Sequence, residues 1–106
     1  MRLLIDECLP RALKRLLAEH ECRTAQEMGW SGKQNGALLL LTEKGFDGLV
    51  TVDQGIGYEH NLANRKIALL VLSARSNQIE DLTPIIPAVL VALRGIQSGQ
   101  IVRVGD

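Results

Sequence analysis

Short apolar runs alternate with amphipathic stretches along the whole chain. Residues 3–5 (LLI) are apolar and are stopped by Asp6-Glu7, which predicts a short buried strand. Pro10 then suits the first turn of a helix, where its missing N–H costs little. Leu9, Leu13, Leu16 and Leu17 fall on one face of that helix, and Arg11, Lys14 and Arg15 on the other. Residues 21–24 read as a weaker second strand, and Gly29, Ser31 and Gly32 mark a loop. Asn35 is placed to cap a second helix carrying Ala37, Leu38, Leu39 and Leu41, which Gly45 ends. A third strand, 49–52 (LVTV), is again stopped by an acid, Asp53, and Gly55 and Gly57 loosen the loop after it. Residues 67–72 (IALLVL) are apolar throughout, so both faces of that strand should be covered. Glu80-Asp81 leads to Thr83-Pro84, the expected start of a helix running to Leu93 or Ile96, and 101–104 form a last strand.

Strand–helix alternation with continuous apolar strands predicts a three-layer α/β/α domain around a central parallel sheet of about five short strands. Right-handed crossovers restrict the winding. A chain that winds outward from the first strand on one side and returns to its other side gives the order 2-1-3-4-5. The first and third strands then flank the switch point, where a crevice opens at their carboxyl ends.

Composition narrows the function classes. The 106 residues make one domain, 1–106, that buries roughly 65% of its unfolded surface. Apolar residues are 46% of the chain, which argues against disorder. Twelve basic and twelve acidic residues cancel, which excludes nucleic-acid binding by bulk charge alone but permits a local basic patch. Trp30, Phe46 and Tyr58 are the only aromatics, too few for a base-stacking platform. Cys8 and Cys22 have no metal or redox spacing and read as buried reduced thiols, which fits a cytoplasmic location. Residues 1–5 are too short for a signal-peptide core, and the longest apolar run, 85–93, is interrupted by Pro87 and cannot span a bilayer. No internal repeat or low-complexity tract is present.

The two strand-end acids carry the candidate chemistry. In the order above, Asp6 and Asp53 end adjacent strands ~4.8 Å apart, close enough for two carboxylates to share one cation. Glu7 either reaches the same mouth or favours the coming helix N-terminus. Crowded carboxylates need a cation or protons, and Mg²⁺ or Mn²⁺ suits oxygen-only ligands. The plainer reading is equally open: Asp53 with Gln54-Gly55 has the composition of an Asx-turn. Thr51, two residues before Asp53, shares its side of the strand and is placed to orient a carboxylate. Asn35 is more often a cap than a ligand. Arg11, Arg75 and Asn77 are candidate substrate contacts near the same edge, set against ordinary solvated or turn-forming roles. His20 and His60 are isolated and read as surface residues.

RLLIDECLP at the start, LVTVDQ in the middle and SARSNQIEDLTPIIPAVLVAL toward the end resemble a small bacterial PIN-like family. Members of this family are commonly treated as toxin components of toxin–antitoxin pairs. The likeness spans nearly the whole chain. It implies a central parallel sheet, an acid cluster that binds Mg²⁺ or Mn²⁺, and cleavage of RNA. By position, Asp6 matches the first-strand acid, Asp53 the acid of the Thr-x-Asp motif, and Glu7 the adjacent acidic position. Two positions depart from the pattern: Asn35 stands where relatives usually open the second helix with Asp, and Gln54, Gly55 and Ile56 stand where a further acid often occurs.

Three functions are expected in turn. The first is a metal-dependent endoribonuclease, with Asp6, Glu7 and Asp53 as its catalytic acids, RNA as substrate and an antitoxin protein as partner. The second is a catalytically degenerate PIN-like interaction module. The helix bearing Ile85, Ile86, Val89, Leu90, Val91 and Leu93 is apolar on more than one face; burial in the core is its default fate, and a homodimer or a docked antitoxin is the alternative. The third is a receiver-like phospho-acceptor, since Asp6-Glu7, Asp53 and Ser73-Ala74 imitate that layout. The last segment, 101–106, offers only Arg103 where receivers need a Lys.

Overall fold

The structure, a computed structural model, describes residues 1–33, 35–55, 62 and 65–105, with Asn35 described by its backbone alone. Five strands form one sheet: β1 (Arg2–Ile5), β2 (Glu21–Thr24), β3 (Gly48–Thr51), β4 (Ala68–Ser73) and β5 (Ile101–Gly105). All four pairings are parallel and the order is β2-β1-β3-β4-β5, the order expected from the alternation of elements. The helices are α1 (Leu13–Leu16), α2 (Asn35–Gly45), α3 (Ile79–Leu82), a 3₁₀ turn (Thr83–Ile85) and α4 (Ile86–Gly95).

The period-2 alternation of strand side chains divides the core in two. Leu3, Ile5, Val50, Leu70 and Leu72 face one way and pack with Leu13 and Leu17 around α1, Leu82 of α3, and Ile86, Val89 and Leu93 of α4. Leu4, Leu49, Leu69 and Val71 face the other way, against Leu38 and Leu39 of α2 and Phe46. Covering on both faces is why β4 tolerates an unbroken apolar run. Gly48 lets three strands close up at the start of β3: a Cβ there would sit 3.1 Å from Leu3 Cδ2 and 3.3 Å from the Ala68 carbonyl oxygen.

Two helices differ from the sequence expectation. The first is only four residues long; Pro10–Ala12 instead make reverse turns, with the N–H of Leu13 on the Pro10 carbonyl and that of Lys14 on the Arg11 carbonyl. The later helical region begins earlier than Thr83-Pro84, at Ile79. The acids Glu80 and Asp81 lie in its first turn, where they favour the positive end of the helix dipole. Pro84 then tightens the chain into the 3₁₀ turn, and Pro87 sits in the first turn of α4. No helix of the described residues is long and apolar enough to cross a membrane.

Candidate active site

Pairing of β1 with β3 aligns Ile5 with Val50, so the next residues, Asp6 and Thr51, lie side by side as the strands end. The Asp6 N–H continues the ladder by donating to the Val50 carbonyl at 2.9 Å. The Asp6 side chain is 8% exposed, and buried carboxylates need partners. Thr51, fully buried, donates its hydroxyl to Asp6 Oδ2 at 2.7 Å, and the Glu7 N–H donates to Oδ1 at 2.8 Å. The same Thr51 Oγ1 accepts the Asp53 N–H at 3.1 Å. One hydroxyl thus ties the first acid to the loop that carries the second.

Asp53 Oδ1 accepts the Gly55 N–H at 2.9 Å, which is the Asx-turn that its sequence neighbours suggest. Glu7 behaves differently from Asp6. Its exposed carboxylate reaches across the edge of the sheet to the loop after β2 and accepts the Gly32 N–H at 2.9 Å. Asn35 opens α2; its side chain, like His60 and Tyr58, lies outside the described residues. Asn77 donates to the Cys8 carbonyl at 2.6 Å, pinning the loop after β4 to the loop after β1. Arg75 is exposed in that same loop, and Arg11 is exposed in the turn before α1.

A cavity of about 320 Å³ opens beside these residues, with Val52, Gln54, Ser73, Ser76 and Asn77 in its wall. Gln54 closes its floor by donating to the Leu72 carbonyl at 3.0 Å. Sequence reasoning does not single out Gln54 or Cys8 for this site. The signal is there in their position, one immediately after Asp53 and the other two residues after Asp6. Cys8 is half-buried rather than buried. Burial pushes its thiol up, the Asp6 carboxylate pushes the same way, and hydrogen bonding to the Val52 backbone and Thr51 opposes them. A raised thiol stays protonated near neutrality, which removes Cys8 as a thiolate nucleophile. Both cysteines are free.

Among the described residues no three His, Cys, Asp or Glu side chains converge to enclose a metal, so a closed structural site is not built here. The Asp6 carboxylate accepts from the Thr51 hydroxyl and the Glu7 N–H, and the Cys8 thiol also bonds to it. An open site with one or two carboxylates, completed by water and phosphate, is the usual arrangement for Mg²⁺.

The fold defines this chain as an open, doubly covered parallel α/β domain with its acids at the switch point between β1 and β3. No protein-family model, curated protein or solved structure matches it.

Proposed function

We propose that this chain is a metal-dependent endoribonuclease of the PIN-like type, the toxin of a toxin–antitoxin pair acting in the cytoplasm. The observation that carries the reading is the Thr51 hydroxyl, which binds the Asp6 carboxylate and the backbone N–H of Asp53 at adjacent strand ends. The resemblance of the RLLIDECLP and LVTVDQ segments to PIN-like proteins supports it. Asp6 and Asp53 are the residues that would hold Mg²⁺ or Mn²⁺. When bound, such an ion supplies an activated water and neutralises charge developing on a phosphoryl group. Thr51 fixes the rotamer of Asp6 and keeps its carboxylate aimed along the strand end. Asn77 holds the two crevice loops together, so the cavity beside Asp53 keeps its width. Glu7, committed to Gly32, braces the loop ahead of α2.

Two measurements test the reading. Calorimetric titration of Mn²⁺ into wild type, Asp6→Asn and Asp53→Asn is expected to show binding weakened about tenfold or more in each variant, roughly 1.4 kcal/mol or above. Wild-type cleavage of a labelled RNA is expected in Mn²⁺ and not in EDTA. Equal Mn²⁺ affinity in all three proteins would remove the acids from the proposal.

A second reading, a partner-binding module, is favoured by the outer face of α4. Pro87, Ala88, Val91 and Ala92 line an apolar groove of about 620 Å³ with Val102 and Val104 of the edge strand β5, and Val91 is 64% exposed. A homodimer or an antitoxin segment is the occupant this reading requires. Light scattering that returns a strict monomer, together with Mn²⁺-dependent cleavage, would set it aside. The strand order is also that of receiver domains. However, β5 reads IVRVG and carries no Lys, and failure of a small phosphodonor to modify Asp53 would retire that alternative.

A further inference from the structure

Four cations pair with carboxylates among the described residues, and one concave patch gathers two that do not. Arg2 pairs with Glu21, Lys14 with Glu27, Arg65 with Glu43 and Arg94 with Glu19. Arg11 and Arg15 are exposed and form no ion pair among the described residues. They line, with Lys14 and Ala12, a single concavity of about 490 Å³. Ala12 contributes only a methyl, so among the described residues every charge in the wall is positive. The backbone fixes this clustering: the Lys14 N–H is bound to the Arg11 carbonyl and the Arg15 N–H to the Ala12 carbonyl, which winds the basic residues round one turn. Like charges four residues apart on a helical turn repel by a few tenths of a kcal/mol. A concave surface lined by one sign of charge concentrates counter-ions of the other sign.

Arg11, in the wall of the concavity, follows Asp6 by five residues. Between Asp6 and Arg11 the chain makes tight turns, with the Leu9 N–H on the Asp6 carbonyl. Five residue steps span at most ~18 Å. A few nucleotides of a single strand cover that distance. Lys14 is already matched by Glu27, whose carboxyl is held down to about 2, chiefly by its hydrogen bond to Lys14. Two uncompensated guanidinium groups remain, each a planar fork that fits phosphate oxygens.

The geometry points to this concavity as a seat for the phosphodiester backbone of a single-stranded polynucleotide. Arg11 and Arg15 each hold one phosphate, a few nucleotides from the linkage presented to Asp6 and Asp53. The identification of that strand as RNA rests on the nuclease reading above; the basic seat does not. Contacts of this kind fix register and carry no sequence information.

The test is fluorescence anisotropy of an end-labelled twelve-nucleotide oligouridylate at several KCl concentrations, in EDTA so that no cleavage occurs. Wild type, Arg11→Gln/Arg15→Gln, Arg11→Lys/Arg15→Lys and Lys44→Gln are compared. Lys44 is the control, an exposed cation at the end of α2, which abuts the start of β3 rather than its carboxyl end. Loss of two phosphate contacts is expected to lower the slope of log K against log salt by about 1.4 in the glutamine variant, at about 0.7 per contact on a single strand. Lysines should restore most of that slope, and Lys44→Gln should leave it unchanged. Circular dichroism melts keep the comparison to folded protein. A wild-type slope in the glutamine variant, or displacement of the oligonucleotide by equimolar inorganic phosphate, overturns the proposal. RNA cleavage in Mn²⁺ with no slope change sinks this inference alone. A slope change with no cleavage sinks only the nuclease reading.

Discussion

Thr51 makes more of its one hydroxyl than any other side chain at the sheet edge. It donates to Asp6 and accepts from the Asp53 N–H, and it is completely buried. Thr51→Val keeps the β-branched shape and strands both groups. Stability should fall by about 1–3 kcal/mol in urea unfolding, with Thr51→Ser recovering most of it. His20 is a second residue whose setting carries a consequence. Both ring nitrogens are buried without a hydrogen-bond partner among the described residues. Burial holds its ionisation below the ordinary histidine range, helped by the N-terminal ammonium and Arg94 and opposed by Glu19. The unfolded chain therefore binds a proton at a higher pH than the folded one. Stability contributed by neutral His20 is complete above about pH 6.5 and is lost as pH falls from there toward the lower folded value. Urea midpoints from pH 7.5 to 5 should drop more for wild type than for His20→Gln. His20 reads from the sequence as an ordinary surface residue, because nothing local marks the packing that covers its ring.

Among the elements, the strands are plain in the chain and the helices are less so. Residues 67–72 are continuous and apolar, and β4 falls within one residue of that span. Two faces of packing leave few other ways to use such a run. The segment around α1 carries a good apolar stripe and yet forms a single helical turn. Pro10 and the tight turns from Asp6 consume the residues that a longer helix would have used. The start of α3 is hidden because Pro84 looks like a helix opener, whereas here it serves the turn between two helices. The end of β5 hides a further constraint. Gly105 has φ +113°, and a Cβ built on it would lie 1.8 Å from the Ser73 carbonyl oxygen. Gly105→Ala should cost about 2 kcal/mol or more, or detach the last residue of the strand. Loss of amide-exchange protection at Val104 with unchanged protection in β1 would register the second outcome.

Across the whole molecule, the winding order can be derived from alternation and handedness, and with it the meeting of Asp6 and Thr51. What the sequence does not reveal are the bonds that join distant loops. Glu7 finds Gly32, and Asn77 finds Cys8, across separations of 25 and 69 residues that no local pattern signals. Leu70 is buried in the larger cluster together with residues of α1 and α4, so Leu70→Ala should cost about 2–5 kcal/mol in equilibrium unfolding. Val91→Asp, on the outer side of α4, should shift the same transition by less than about 0.5 kcal/mol. Because every strand pair is parallel, no two neighbouring strands are joined by a hairpin. The pairing of β1 with β3 is a long-range closure, and Thr51 meets Asp6 across a sequence separation of 45. A nascent chain emerging from its ribosome therefore displays the first acid long before its partner. Any chemistry that needs both waits until the chain between them has been made.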